Sequence, residues 1–466
     1  MDSVSQPLND LRTFRDSLYR CFERRADALF ELADALLTAA GSVPSPVHLS
    51  LVPAHRRGWG SLYAALRCGR IVEGPLRELL ARHASAGEAS HAPVYAVDVS
   101  VWSRCDAESS PGRGYYYHPS RHSAGQPIVA GWAYQLIAGL SFERDSWVAP
   151  MDARRVRPEE DANDVAVEQA KDLLERSSRR GAAPLFVFDA GYDPVKLQRG
   201  LEGRRAHVLV RLHSNRAFYA DPEEVEKRPV GRPRRHGKKF ALPDPRTWPE
   251  PAHEHRCTTE DYGEVRVRAW PGLHPKTRRI AERYGCESAP VVRGTVVLVE
   301  VAKLPRETRK PKKLWLWFSG EGEPDLDLLW RAYVRRFDLE HTIRFLKQTL
   351  GWTAPRVRHP EQADRWTWLV LLAYAQLRQA RSCAEDSRLP WERPQRDRRL
   401  TPCRTLRGFA ALLAAVGTPA REPKPCGRSP GRPKGASRAG RSVTRRSRKP
   451  LELSKKARGG ISQRAL

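Results

Sequence analysis

Between Leu11 and Leu37 the apolar residues Leu11, Phe14, Leu18, Phe22, Leu29 and Leu36, with their neighbours, recur at three- and four-residue steps. That period predicts an amphipathic helix. Shorter helical patterns follow from Leu62 to Arg82, so residues 1–88 read as an all-helical N-terminal domain. Its bases Arg56, Arg57, Arg67 and Arg70 suit a DNA-contacting face, and equally the solvated face of a plain helical bundle. The small, polar stretch SAGEASH at 85–91 predicts a linker.

The texture changes at Val94. VYAVDVSVW is rich in β-branched and aromatic residues and reads as a buried strand, followed by strand-like runs at Pro127–Leu140, Trp147–Pro150, Leu185–Phe188 and His207–Leu212. A helical stretch at Asp164–Arg179 lies between two of them. A second helix is expected to start at Asp193-Pro194, a cap followed by proline in the first turn. Strands exchanging with helices in this order indicate an α/β layer architecture. From about 213 to 320 the segments VRVRAW, TVVLVEVA and LWLWFS form a β-rich insertion, and helical periodicity returns from Pro324 to Leu350 and from Glu361 to Arg381.

Composition narrows the partner. The 466 residues hold 82 Lys and Arg against 54 Asp and Glu, a formal charge of 82 − 54 = +28. A compact chain carries such a charge against self-repulsion unless an anionic polymer neutralises part of it, so nucleic acid is the expected partner. No apolar run approaches the roughly 18 residues of a membrane span, the longest being Trp368–Ala375. The eight cysteines are scattered without a CxxC pair, the opening MDSVSQPLNDLR lacks an apolar leader segment, and His253, His255 and His274 are dispersed. These features predict a reducing, cytoplasmic setting and no structural zinc. The last 46 residues, 421–466, hold 15 Lys and Arg against 2 Glu, a net +13, without aromatics or helical periodicity. They read as a tail that is disordered until it meets DNA.

In so basic a chain, acids inside apolar strands are the informative ones. Asp98 lies within Val94–Val99 and Asp189 ends the run Leu185–Phe188. A carboxylate desolvated there costs several kcal/mol unless it is paired or ligates a metal, and taken singly each acid is more often the partner of an arginine. Asp193 is accounted for as the helix cap. A third element, YVRRFDLEHTIRFLK, sets Tyr333, Arg336, Glu340 and Lys347 at offsets 0, 3, 7 and 14. At about 100° per residue these share an arc of roughly 60°. Such a stripe suits a site holding metal ions and phosphate oxygens together, or a salt-bridged solvent face.

The pattern Tyr-x2-Arg-x3-Glu-x6-Lys, preceded by a strand-borne Asp and by Asp-x-Gly-Tyr-Asp, closely resembles the YREK signature of DDE transposases encoded by bacterial insertion sequences. The resemblance covers residues 90–382 and, more loosely, the N-terminal helices. It implies an α/β fold with an RNase H-like catalytic domain over 89–382, interrupted by the β-rich insertion and followed by a basic region, 383–466. It also implies a transposase that cleaves phosphodiester bonds at the ends of its insertion sequence and joins them to target DNA. Asp98, Asp189 and Glu340 would be the catalytic acids holding two Mg²⁺ or Mn²⁺ ions, which oxygen ligands favour. Arg336 and Lys347 would clamp phosphates and Tyr333 would hydrogen-bond one. The expected partners are double-stranded DNA, both element ends and target, and a second copy in a dimeric synaptic complex. The expected location is the bacterial cytoplasm at the nucleoid. Hairpin-forming relatives stack a flipped base on an aromatic residue of the insertion, for which Trp270, Trp315 and Trp317 are candidates, although alternating Trp315-Leu316-Trp317 also suits a packed strand.

Two Gly-Arg-Pro segments, Arg232-Pro233 with Arg234 and Arg235, and Arg432-Pro433 with Lys434, resemble AT-hooks that lie in narrow A·T-rich minor grooves. A nonspecific polycation accounts for them equally. A non-catalytic DNA-binding descendant and a stand-alone nuclease remain the alternatives to transposition; intact acids at all three positions disfavour the first, and terminal inverted repeats flanking the gene would disfavour both.

Overall fold

The computed structural model describes residues 5–84, 92–117, 127–143, 145–176, 182–223, 234–276, 291–305, 313–394 and 400–424. The 85–91 linker and the tail beyond 424 lie outside them. The expected single helix over 11–37 is instead two, α1 (Ser5–Arg20) and α2 (Ala26–Thr38), parted by a short strand β1 (Phe22–Arg24). Arg25 joins β1 to α2 in a left-handed conformation, φ 58°, and β1 pairs with β2 (Arg70–Ile71). The apolar period continues across the break because α2 is buried on every side from Ala28 to Leu37, so apolar positions recur there whatever its rotation. Helices α3 (Pro46–Leu49), α4 (Trp59–Cys68) and α5 (Glu73–Ala84) complete the N-terminal part.

The centre of the molecule is a ten-stranded mixed sheet among the described residues. Its early strands are β3 (Val94–Ser103), β4 (Gly114–Tyr117), β5 (Ile128–Leu140), β6 (Val148–Val156), β7 (Leu185–Phe188) and β8 (His207–Leu212). Strand β6 continues past the expected end at Pro150 through Arg154 and Arg155, whose charged ends are held by Glu160 and Asp364. Helix α6 (Ala162–Arg176) and helix α7 (Pro194–Gly200) follow β6 and β7, and the Asp193 carboxylate accepts from the N–H groups of Val195 and Lys196 as a cap should.

The β-rich segment supplies the small pair β9 (Ala217–Tyr219) and β10 (Lys239–Ala241), then β11 (His253–Thr259), β12 (Gly263–Leu273), β13 (Gly294–Val301) and β14 (Lys313–Ser319). Rather than forming a second layer, β14 pairs antiparallel with β8, so β11–β14 extend the central sheet. The order is β11-β12-β13-β14-β8-β7-β3-β5-β4, with β6 also on β5; β3, β7 and β8 are mutually parallel.

The chain returns through α8 (Leu326–Arg335), α9 (Phe337–Gln348), α10 (Pro360–Ala380) and α11 (Pro402–Val416). The sheet's two faces follow the two-residue side-chain period. Tyr95, Val97, Phe186, Phe188, Val208 and Val210 pack toward α6 and α7. Val94, Leu185, Val187 and Leu209 pack toward α8 with Leu329, Trp330 and Tyr333. Helix α10, buried along most of its length, shares one apolar core with α1, α2, α4 and α11. Within it the Arg15 guanidinium, 1% exposed, pairs with Asp34 at 2.8 Å and with Gln376, tying the first helices to the last. No helix among the described residues is long and apolar enough to cross a membrane.

Candidate active site

The two strand-borne acids become neighbours through register. Ala96 of β3 stands beside Val187 of β7, and Phe188 of β7 beside Val210 of β8. Continuing each pairing brings Asp98 in the middle of β3, Asp189 just past β7 and Arg211 near the end of β8 side by side, on the parity of Val94, Leu185 and Leu209, which faces α8. The Asp98 Oδ1 accepts the Val99 N–H at 2.9 Å, and Arg211 Nη1 lies 3.6 Å from Asp189 Oδ1.

The third carboxylate arrives from the helices covering that face. The expected helix over 324–350 is present as α8 and α9, which meet at Arg336; that residue keeps helical dihedrals, φ −55° and ψ −30°, and its N–H bonds back to the carbonyls of Ala332 and Tyr333. Tyr333 therefore sits on α8, and Glu340 and Lys347 on α9. All four still meet at the sheet. The Tyr333 hydroxyl donates to Asp189 Oδ1 at 3.3 Å, and Lys347 Nζ donates to the Val101 carbonyl at 3.1 Å.

Arg336 is the hub. Its Nη1 donates to Glu340 Oε1 at 2.9 Å and lies 3.8 Å from Asp98 Oδ2, while Nη2 is 3.4 Å from Asp189 Oδ2. The side chain is 4% exposed. Arg336 and Tyr333 are thus engaged by the acids, and Lys347 by a β3 carbonyl and the Trp352 ring, so in this arrangement the three groups expected on phosphates serve the carboxylates and the sheet end. The reason is electrostatic: three acids gathered in one half-buried place need a positive centre between them.

Burial raises the Asp98 carboxyl to about 6; Arg336 opposes, while Glu340 and Asp189 add to the rise. At Asp189 burial acts the same way but is outweighed by Arg336, the Ala190 N–H and Arg211, so this carboxyl lies below its ordinary value. Burial, with Asp189 adding, pushes Tyr333 up to about 12. Burial lowers the Lys347 ammonium, opposed by Asp98. The acids thus differ: Asp189 is firmly ionised, and Asp98 holds its proton to nearly neutral pH.

A cleft of about 660 Å³ opens beside Asp98 and Asp189, with Arg113, Tyr115, Tyr116, Arg157, Glu160 and Tyr192 on its other walls. Tyr115 and Arg157 are exposed there. The sequence reading did not single out Arg211, Arg157 or Tyr115. Strand parity within HVLVRL could have found Arg211; the other two carry no signal, because the long β5 alone brings β4 and β6 to the site.

Several expected contacts fall elsewhere. Trp270, Trp315 and Trp317 are 3%, 4% and 0% exposed, packed among Phe240, Trp248 and Phe218, so they are core and not a base platform. Arg56 and Arg57 converge on the buried Glu31, whereas Arg67 and Arg70 are exposed. Arg234 and Arg235 are exposed; Arg232, Arg432 and Lys434 lie outside the described residues.

A solved structure with partial likeness is the cryo-EM piggyBac transposase synaptic complex with hairpin DNA, at 11% identity and a TM-score of 0.38, covering 89% of this chain and 79% of that one. No curated protein matches the sequence. A family model described as DDE superfamily endonuclease matches residues 17–276, a span that contains Asp98 and Asp189 and stops short of Glu340. That match takes in more than half of the chain, and the chain belongs to the DDE superfamily endonucleases.

Proposed function

We propose that this endonuclease is a transposase of the YREK type, cutting at the ends of its own insertion sequence and joining them to target DNA. The observation that carries the reading is the convergence of Asp98, Asp189 and Glu340 on the single Arg336 guanidinium. An RNase H-like core is supported by the sheet order β6-β5-β3-β7-β8, with Asp98 on β3 and Asp189 directly after the adjacent parallel strand β7.

The donor types fit divalent cations, since all are carboxylate oxygens, but the three carboxylates gather around the Arg336 guanidinium and not within 4.8 Å of one another, so holding ions calls for their side chains to close in. Asp98, Asp189 and Glu340 would hold two Mg²⁺ or Mn²⁺ ions. Bound there, such ions would activate an attacking water or 3′-hydroxyl and stabilise the departing oxygen. The chain's own contribution is positional. Asp98 is fixed by the pairing of β3 with β5, Asp189 follows directly on β7 and is oriented by Tyr333, and Arg336 keeps the acids together before substrate arrives. Asp98 must lose its proton to act as a ligand, which its value of about 6 allows at neutral pH. Arg157 and Tyr115 on the cleft would meet the DNA strand, with exposed Arg67, Arg70, Arg234 and Arg235, the Arg232 and Arg432-Pro433-Lys434 segments, and a second copy of the chain completing a synaptic complex.

The test is Glu340→Ala assayed on a duplex bearing the element end. Mg²⁺-dependent nicking should disappear while DNA binding remains; retained nicking would remove Glu340 from the site.

A further inference from the structure

Away from the acids, three residues of different chemistry meet at the outer edge of the sheet. Strand β11 alternates half-buried and exposed positions, so His253, His255 and Cys257 turn toward the helical side while Glu254 and Arg256 face outward. Helix α8 packs against β11 and β12 and brings Asp327 in its first turn. One imidazole nitrogen, one sulfur and one carboxylate oxygen of His255, Cys257 and Asp327 lie within 4.8 Å of one another.

We propose that His255, Cys257 and Asp327 bind one borderline-soft divalent cation, zinc by preference, which fastens the edge strand β11 to the start of α8. Zinc takes nitrogen at about 2.0–2.1 Å, sulfur at about 2.3 Å and oxygen at about 2.0–2.2 Å, usually in a tetrahedron. Its ligand atoms then stand roughly 3.3–3.8 Å apart, so closing this cluster requires side-chain shifts of about 1 Å. The His255 Nε2 is sealed from solvent, makes no hydrogen bond and lies 3.3 Å from Asp327 Oδ1. A protonated ring would make this contact an ion pair; with the proton on Nδ1 the Nε2 lone pair faces the carboxylate, and a cation held by both turns the contact into ligation.

The surroundings hold the carboxylate as outer partners of a metal ligand do. Trp330 Nε1 and Arg331 Nε each donate to Asp327 Oδ1 at 3.0 Å. Thiolate and carboxylate would match the charge of a divalent ion, with the Arg331 guanidinium on Asp327 leaving one positive charge beside the site, and the Cys257 proton would leave to solvent on binding. A water would take the fourth position, since all three side chains are only partly buried. The mixed nitrogen, sulfur and oxygen set selects zinc over magnesium, and so differs in kind from the all-oxygen cluster at Asp98. Because α8 carries Tyr333 and runs into Arg336, the ion would brace the helix that feeds the carboxylate site. The expectation of no zinc rested on sequence spacing, and a ligand from a distant helix is invisible to spacing.

The test uses the chelator-treated full chain titrated with Co²⁺ as a spectroscopic probe. One equivalent should give tetrahedral d–d bands and a thiolate-to-cobalt charge-transfer band, displaced by Zn²⁺ and unaffected by excess Mg²⁺. Cys257→Ser should abolish the charge-transfer band, and His255→Ala and Asp327→Asn should each weaken Co²⁺ at least about tenfold. Cys403→Ser, at an exposed thiol, should change nothing. Absence of the bands in the wild-type chain, their loss to Mg²⁺, or a charge-transfer band that survives in Cys257→Ser would overturn the proposal. Should a variant fail to fold, the wild-type stoichiometry and the Mg²⁺ competition decide alone.

Discussion

Arg336 Nη1 donates to Glu340 Oε1 at 2.9 Å across one turn, and the same guanidinium reaches Asp98 and Asp189 on the sheet. Arg336 stands where α8 meets α9, with helical dihedrals of φ −55° and ψ −30°, so the residue that joins the three acids also joins the two helices.

Replacing Arg336 by Met should leave Asp98 and Glu340 without their counter-charge and Asp189 with Arg211 alone. Removing one partner of a fully buried pair costs about 3–5 kcal/mol, and the partial exposure of these carboxylates brings the loss down to about 1–3 kcal/mol. The Tm of Arg336→Met should fall accordingly in chelator, and Mg²⁺ or Mn²⁺ should restore more of it than the same ion adds to wild type. Equal increments in both would show that the guanidinium and the ions do not share a place.

Stability should also report on Asp98, whose folded value of about 6 exceeds its ordinary 3.8. The folded chain holds this proton more tightly than the unfolded one, so its stabilising contribution is complete below about pH 4 and is lost as pH rises through about 6. Two units at about 1.4 kcal/mol each amount to about 3 kcal/mol. In urea without divalent ions, Asp98→Asn should match wild type near pH 4 and exceed it by up to that amount at pH 8, while losing nicking. A variant less stable than wild type at pH 8 would contradict the assignment.

For Trp315 the issue is core against DNA contact. It is 4% exposed among Trp248, Trp270 and Phe240. Trp315→Ala should lower unfolding free energy by about 3–5 kcal/mol. A stacking platform would instead lose about 1–3 kcal/mol of DNA affinity with stability intact. Chemical denaturation and DNA binding on the same preparation separate the two.

Charge in the tail should appear in salt dependence. Ending the chain after residue 424 removes 13 Lys and Arg and one Glu. The slope of log K against log salt should become shallower by about 0.9 for each DNA phosphate that the shortened chain no longer neutralises. An A·T-rich duplex should lose more affinity than a G·C-rich one if Arg432 and Lys434 read the minor groove. Equal losses would leave the tail a nonspecific polycation.

Much of the site was legible because its signals are local. An acid within an apolar strand, as at Asp98 and Asp189, stands out against desolvation cost, and the spacing from Tyr333 to Lys347 is fixed by the helical period. Strand texture likewise found β3, β5, β7 and β8 to within a few residues. The division of 11–37 was not legible, since a helix buried on every side, as α2 is, supplies apolar residues at any period; the joint at Arg336 was not legible because helical dihedrals there leave the period intact.

By itself the sequence determined which residues are apolar, which acids lack a bland explanation, and that the charge calls for a polyanion. Tertiary structure decided who meets whom. Register set Arg211 beside Asp189, packing turned the insertion's tryptophans into core, and helix α8 carried Asp327 to His255 and Cys257. The physical reason is one of range: periodicity and desolvation act along the chain, whereas pairing register and packing act between segments far apart in it.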